Sequence, residues 1–343
     1  MKKSLLALAA LTAFAGAASA QSSVTLFGIV DLSVNSVKNG NLSQKLLSSD
    51  QLNSNRIGFR GTEDLGGGMR AGFWIEGGMA PDTGGTGQTW TRRSTVSLMG
   101  GFGEIRLGRD YTPTFLVRGF DPFGTNGMGS ELNLEGGSVN PLGSGATTLV
   151  RASNSVGYHL PAMGGVYGNA MVAAGEGGVA GNKYVGARLG YAGGPVNVAV
   201  AFGKTYKEGA MLADFKDTIF GASYNLGFMN VMFMYDKTAY STRDQKKMLL
   251  GLTVPFGAST LKASYINAKG AQGTSATDFD AKQFAFGYQY DLSKRTAIYA
   301  TVSSLNNDGN ATSGARFTIG QGPAMAIGGD TSRGYNLGVR HSF

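Results

Sequence analysis

The last nine residues of the chain alternate without a break. Tyr335, Leu337, Val339, His341 and Phe343 interleave with Asn336, Gly338, Arg340 and Ser342. Successive side chains of a strand point to opposite faces, so one face here is mostly apolar with an aromatic at each end, and the other is polar and charged. A soluble sheet can alternate too, but it seldom stops on a bare aromatic. A strand with lipid on one face and a water-filled lumen on the other accounts for both features. The fold class this implies is all-β: a transmembrane antiparallel β-barrel of an outer membrane.

The opening residues point to export. Lys2 and Lys3 provide a positive start, Leu5 to Ala15 a short apolar run, and Ala18-Ser19-Ala20 a small-residue cleavage site, so residues 1–20 are expected to be a cleaved secretory signal. The apolar run falls short of the ~20 residues that a membrane-spanning helix needs. Removal leaves 323 of 343 residues, a single domain over 21–343, and loss of the two lysines lowers the net charge from +8 to +6. No later apolar stretch approaches spanning length. A membrane-embedded chain of this kind must close into a barrel, because lipid offers no partner for an unpaired backbone group. Without cysteine there are no disulfides and no thiolate metal sites. The basic residues are scattered singly along strands, which argues for charge in a lumen and against a nucleic-acid-binding patch.

Alternating runs of about ten residues recur along the chain, and sixteen can be placed, among them 23–35, 54–63, 69–79, 90–100, 229–238, 247–256 and 333–343. Sixteen strands in 323 residues allow about 20 residues for each strand and its connection, the spacing of a barrel wide enough to hold water. Tight connections such as Asp64 to Gly68, Gly101 to Gly103 and Gly193 to Pro195 are expected as periplasmic turns, and the longer ones as external loops. One connection breaks the rhythm. Residues 112–148 lack alternation and contain Pro113, Pro122 and Pro141 among many glycines. A structureless segment of that length is usually functional or disordered, and in a wide barrel it can fold inward and narrow the lumen. The segment 305–332 is also long and is expected to be external.

Several segments together resemble a known family, the general diffusion porins of Gram-negative outer membranes in their betaproteobacterial branch. Ser23-Val24-Thr25-Leu26-Phe27-Gly28-Ile29-Val30-Asp31 resembles the first strand of that branch, and Gly58-Phe59-Arg60-Gly61-Thr62-Glu63-Asp64-Leu65-Gly66-Gly67-Gly68 its second strand and first turn. Gly101-Phe102-Gly103-Glu104-Ile105-Arg106-Leu107-Gly108-Arg109 resembles a further turn and strand, and Gly338-Val339-Arg340-His341-Ser342-Phe343 the ending. The resemblance implies a sixteen-stranded barrel, a homotrimer in outer-membrane lipid and lipopolysaccharide, and a third loop folded into the lumen. It further implies passive diffusion of ions and small hydrophilic solutes, and recognition of terminal Phe343 by the barrel-assembly machinery. Relatives often carry a Pro-Glu-Phe-Gly-Gly type segment in the inward loop. Asp121-Pro122-Phe123-Gly124-Thr125 stands here instead.

In a pore, function resides in fixed charge at the narrowest point. Side-chain parity places Arg56 and Arg60 inward, opposite in phase to Ile57, Phe59 and Gly61; the same reasoning turns Arg93, Arg106 and Arg151 inward. These five form the expected basic wall of the constriction. Asp121, Glu131 and Glu135 in the long connection are the expected acids facing it, so that a transverse field would cross the opening. With basic charge in excess, small anionic or polar solutes should be preferred. Tyr158, Tyr191, Tyr224, Tyr288, Tyr290, Tyr299, Tyr335 and Phe343 are expected in the interfacial girdles.

Other functions find little support. His159 and His341 are the only histidines; Ser155 and His159 share a face but stand ~13 Å apart, beyond proton transfer. Gly101-Phe102-Gly103 precedes a strand and opens no helix, so it lacks the context of a phosphate cradle. No enzyme, cofactor, metal or nucleic-acid role is expected. The serious rival is a substrate-specific outer-membrane channel, which needs an aromatic track or a dedicated binding row in the lumen. Parity turns only scattered aromatics such as Trp74 inward.

Overall fold

The structure, a computed structural model, describes residues 23–85, 89–135, 141–176, 181–272, 280–310, 314–320, 322–325 and 327–343. The expected signal segment 1–20 lies outside the described residues, as do parts of the long connections. Alternation decides the architecture: β1 (Ser23–Asn39) carries Asp31, Ser33 and Asn35 on its inner face and Val34, 64% exposed, on its outer one. Its first half pairs with β3 (Arg56–Gly66), Ser23 opposite Thr62, and its second half with β2 (Leu42–Ser49), Asn39 opposite Leu42. Strands β2 and β3 are therefore two lengths of one barrel strand interrupted at 50–55. The seventeen hydrogen-bonded strands accordingly make sixteen staves, the number expected.

The ring continues antiparallel through β4 (Met69–Gly78), β5 (Arg93–Gly100), β6 (Gly103–Tyr111), β7 (Arg151–His159), β8 (Val166–Ala173), β9 (Tyr184–Gly193) and β10 (Val196–Thr205). It proceeds through β11 (Phe215–Asn225), β12 (Asn230–Tyr240), β13 (Arg243–Phe256), β14 (Ser259–Gln272), β15 (Ala281–Asp291), β16 (Thr296–Asn307) and β17 (Thr331–Ser342). Strand β17 pairs back onto β1 from Ile29–Ser342 to Asn39–Ser332, which closes the sheet and removes its edges. Beyond β17, Phe343 exchanges two backbone hydrogen bonds of 3.1 Å with Gly28. Its ring covers Gly28 so closely that an added Cβ there would stand 2.2 Å from it.

The interruption at 50–55 is stitched by buried Asp31. Its Oδ2 accepts 2.6 Å hydrogen bonds from the backbone N–H of Leu52 and Asn53, and Tyr299 donates its hydroxyl to Oδ1. Tyr299 thus belongs to the inner face and not to a girdle; it shares the phase of Ala297 and opposes exposed Ile298 and Val302. Tyr158, Tyr191, Tyr224, Tyr288, Tyr290, Tyr335 and Phe343 are exposed on the outside, as expected of girdle residues. A second difference concerns β12 and β13. Both run longer than their alternation suggests and meet in the two-residue turn Ser241-Thr242, where a longer loop was expected.

The connection after β6 turns inward. It opens with the short helix α1 (Pro113–Val117), continues through helical turns at Arg118–Phe120 and Glu131–Leu134, and packs along the inner face of β9 to β13. Glycines on the wall make room for it. A Cβ on Gly221 would stand 2.2 Å from the Phe120 ring, and one on Gly251 would stand 2.6 Å from Pro122. Phe123 lies in the same way against Gly287. The tip crosses the lumen: Asn126 donates to the Asp50 carbonyl at 3.3 Å and to Ser54 Oγ at 2.9 Å, at the break between β2 and β3.

Candidate functional site

The inward connection leaves an opening between its tip and the wall of β3 to β7, and arginines line that wall. Arg56 approaches Glu76 at 3.4 Å, and Arg92, just before β5, holds the same carboxylate at 2.6 Å. The hydroxyl of Tyr111 accepts from Arg92 at 3.0 Å and from Arg151 at 2.7 Å, and the Arg151 guanidinium lies 4.3 Å above the Tyr111 ring. Farther toward the periplasmic turns, Trp74 is flanked by Arg93 at 4.5 Å and Arg60 at 5.1 Å, both within the range of cation–π attraction. Arg106 is held by Glu104 at 2.9 Å and by Asp110, whose other oxygen is 3.7 Å from Arg93.

The five arginines read from parity therefore share one wall in two groups, Arg56 with Arg151 and Arg60 with Arg93 and Arg106. Three of them share acids. Arg60 and Arg151 have no carboxylate within 4 Å among the described residues, so no acid offsets their charge at close range. Arg92 was missed because its even position matches lipid-facing Val96 and Leu98; it stands ahead of the strand, where parity no longer applies.

The acids of the inward connection lie elsewhere than expected. Glu131, Glu135 and Asp121 are buried against the far wall and do not confront the arginines across the opening. The reason is electrostatic. Fully buried Arg118 pairs with Glu131 at 2.5 Å, Glu135 at 3.0 Å, Asp236 of β12 at 3.1 Å and Asp217 of β11 at 3.3 Å. Lys247 of β13 reaches Glu131 at 2.7 Å, Asp236 at 3.0 Å and Glu135. Buried charge persists only when paired, and this cluster supplies the pairing while fastening the connection to three strands. Glu131, Glu135 and Asp236 stand close enough to surround a cation, and the Lys247 ammonium takes that place. Burial opposes the charge of Arg118, but the surrounding carboxylates outweigh it and hold its pKa well above the ordinary value. Burial raises Glu135, whereas Arg118 and Lys247 outweigh burial at Glu131 and lower it.

Asp121 sits apart from these ion pairs. Its oxygens accept 2.8 Å hydrogen bonds from the N–H groups of Phe123 and Glu131, and burial pushes its pKa up to about 8. Parity could not place Arg118 or any acid of the connection, because only strands have a two-residue period. The last external connection also reaches inward. Its Ile319 and Phe317 are buried with Met128 of the inward connection, and the Gly320 N–H donates to Asn133 at 3.3 Å.

Comparison with known proteins agrees with this architecture. Residues 7–310 match the family model described as Gram-negative porin. The chain is 37% identical to outer membrane porin protein 32 of Delftia acidovorans over the full length of both proteins. It is 28% identical to an outer membrane porin protein of Bordetella pertussis, covering 90% of this chain and 95% of that one. Among solved structures, the anion-selective porin from Comamonas acidovorans superposes with a TM-score of 0.83 at 33% identity, covering 94% of this chain and 100% of the other.

Proposed function

This chain belongs to the Gram-negative porin family, and on that premise we propose that its lumen is an anion-preferring passage for passive diffusion of small hydrophilic solutes across the outer membrane. The observation that carries the anion preference is the pairing pattern of charge. Glu131 and Glu135 of the inward connection are consumed by Arg118 and Lys247, and Asp121 is held by backbone N–H groups, whereas Arg60 and Arg151 of the other wall have no acidic partner among the described residues. A partly desolvated passage lined by one sign of charge concentrates ions of the other sign. In this reading Arg56, Arg60, Arg93, Arg106 and Arg151 form the constriction wall, joined by Arg92. Asp121, Glu131 and Glu135 set the opening by holding the connection in place, not by a transverse field.

The same reading takes the working form as a homotrimer in outer-membrane lipid and lipopolysaccharide, with residues 1–20 removed on export and Phe343 presented to the assembly machinery. It assigns no catalytic step. Single-channel conductance in planar bilayers tests it: steps that grow in proportion to salt concentration, often in groups of three, are expected. A substrate-specific channel is the second reading, favoured by the row of Arg60, Trp74 and Arg93. Small conductances that saturate in simple salts would establish it in place of the first.

A further inference from the structure

The wall opposite the arginines carries a cation of its own that the ion-pair cluster does not consume. Below the inward connection, on its periplasmic side, a cavity of about 530 Å³ lies between residues 119–124 and the inner faces of β12 to β15. Lys262 of β14 lines it with Asn230, Thr253, Thr260 and Gln289. Met232, Pro122, Phe123 and Pro255 supply an apolar side. The cavity sits near the periplasmic turns, since Asn230, Pro255, Thr260 and Gln289 all lie within three residues of a strand end there.

Lys262 differs from the other lysine of this wall. Lys247 is fully buried and held by three carboxylates, whereas Lys262 has no carboxylate within 4 Å among the described residues. Its nearest loop acid, Asp121, spends its oxygens on two backbone N–H groups of its own connection, and burial favours its neutral form. A concave site with one unpaired cation, hydroxyl and amide groups and an apolar side suits a ligand of matching polarity.

We propose that this cavity is a binding subsite for small monocarboxylates with an apolar body, occupied after a solute has passed the constriction. The Lys262 ammonium meets the carboxylate, the hydroxyls of Thr253 and Thr260 complete its hydrogen bonds, and Met232, Pro122 and Phe123 cover the apolar part. The proposal rests on the lumen being an open passage.

Benzoate, tested against chloride and inorganic phosphate, is the probe. Current through the purified protein in a planar bilayer is measured over increasing concentrations of each salt, for the natural sequence, Lys262→Gln and Lys262→Arg. Saturation with benzoate alone is expected. Lys262→Gln should raise the half-saturating concentration roughly tenfold, the loss of about one charge-assisted contact, and Lys262→Arg should largely restore it. Benzoate current that rises in proportion to concentration, or saturates equally in Lys262→Gln, overturns the subsite while leaving the porin reading intact. Phosphate saturating at the same concentration as benzoate overturns the apolar part of the assignment. No chloride current at all would instead remove the reading on which the proposal stands. Heat-dependent gel mobility of each variant checks that the barrel has formed.

Discussion

Single side chains in the lumen act by how their charge is paired. Lys247→Met removes one of two cations from a buried group that includes four carboxylates, Glu131, Glu135, Asp217 and Asp236. Breaking such a cluster costs about 3–5 kcal/mol. That loss should appear as release of the inward connection, seen as new protease cleavage within 112–148 while the barrel stays intact. Asp121 yields a pH prediction. Its pKa is raised by burial to about 8 from an ordinary 3.8, so the folded protein binds more protons than the unfolded chain between those values. Stability of the docked connection should therefore fall as pH rises from about 4 to 8. Asp121→Asn should flatten that slope in a protease-protection assay. Parity legibly placed Arg56, Arg60, Arg93 and Arg106, because a strand's period is fixed. It could not foresee that Arg118 meets Lys247's carboxylate partners, since nothing local joins residues so distant in sequence. Tyr299 was within reach: its phase opposes Ile298 and Val302, and that signal outweighs residue type.

At the scale of elements, the inward connection is shaped to the wall that receives it. Gly221, Gly251 and Gly287 leave the recesses that Phe120, Pro122 and Phe123 fill. Gly251→Val should overpack this seat at a cost of about 1–3 kcal/mol and push the connection into the lumen or free it from the wall. Single-channel conductance should change accordingly, with barrel content by circular dichroism unaltered. The existence of the connection was legible as 37 residues without alternation, from 112 to 148; its route was not, because a loop's path is set by the surfaces it meets. Strand β2 was missed for a related reason. In Leu42–Ser49 the adjacent Leu46 and Leu47 break the two-residue pattern, and only its hairpin with β1 reveals it. The Ser241-Thr242 turn carries no glycine, and Ser241 adopts φ of +55° despite having a side chain, so no turn signal marked it.

For the whole molecule, closure of β17 onto β1 makes the sheet edgeless, and the outward apolar face then has lipid as its solvent. The same alternation leaves a polar interior in which two walls differ. One includes Arg60 and Arg151, which have no carboxylate partner among the described residues, and the other holds the inward connection through buried ion pairs. In the reading proposed above, this asymmetry is what makes the passage selective by charge. Reversing these charges with Arg60→Glu and Arg151→Glu together should shift the selectivity toward cations without breaking an ion pair, because neither residue has an acidic partner to lose among the described residues. The most direct measurement is the reversal potential of the purified protein in a planar bilayer under a potassium chloride gradient. The sign for chloride permeating more readily than potassium is the predicted result. A reversal potential of the cation-selective sign would contradict the account.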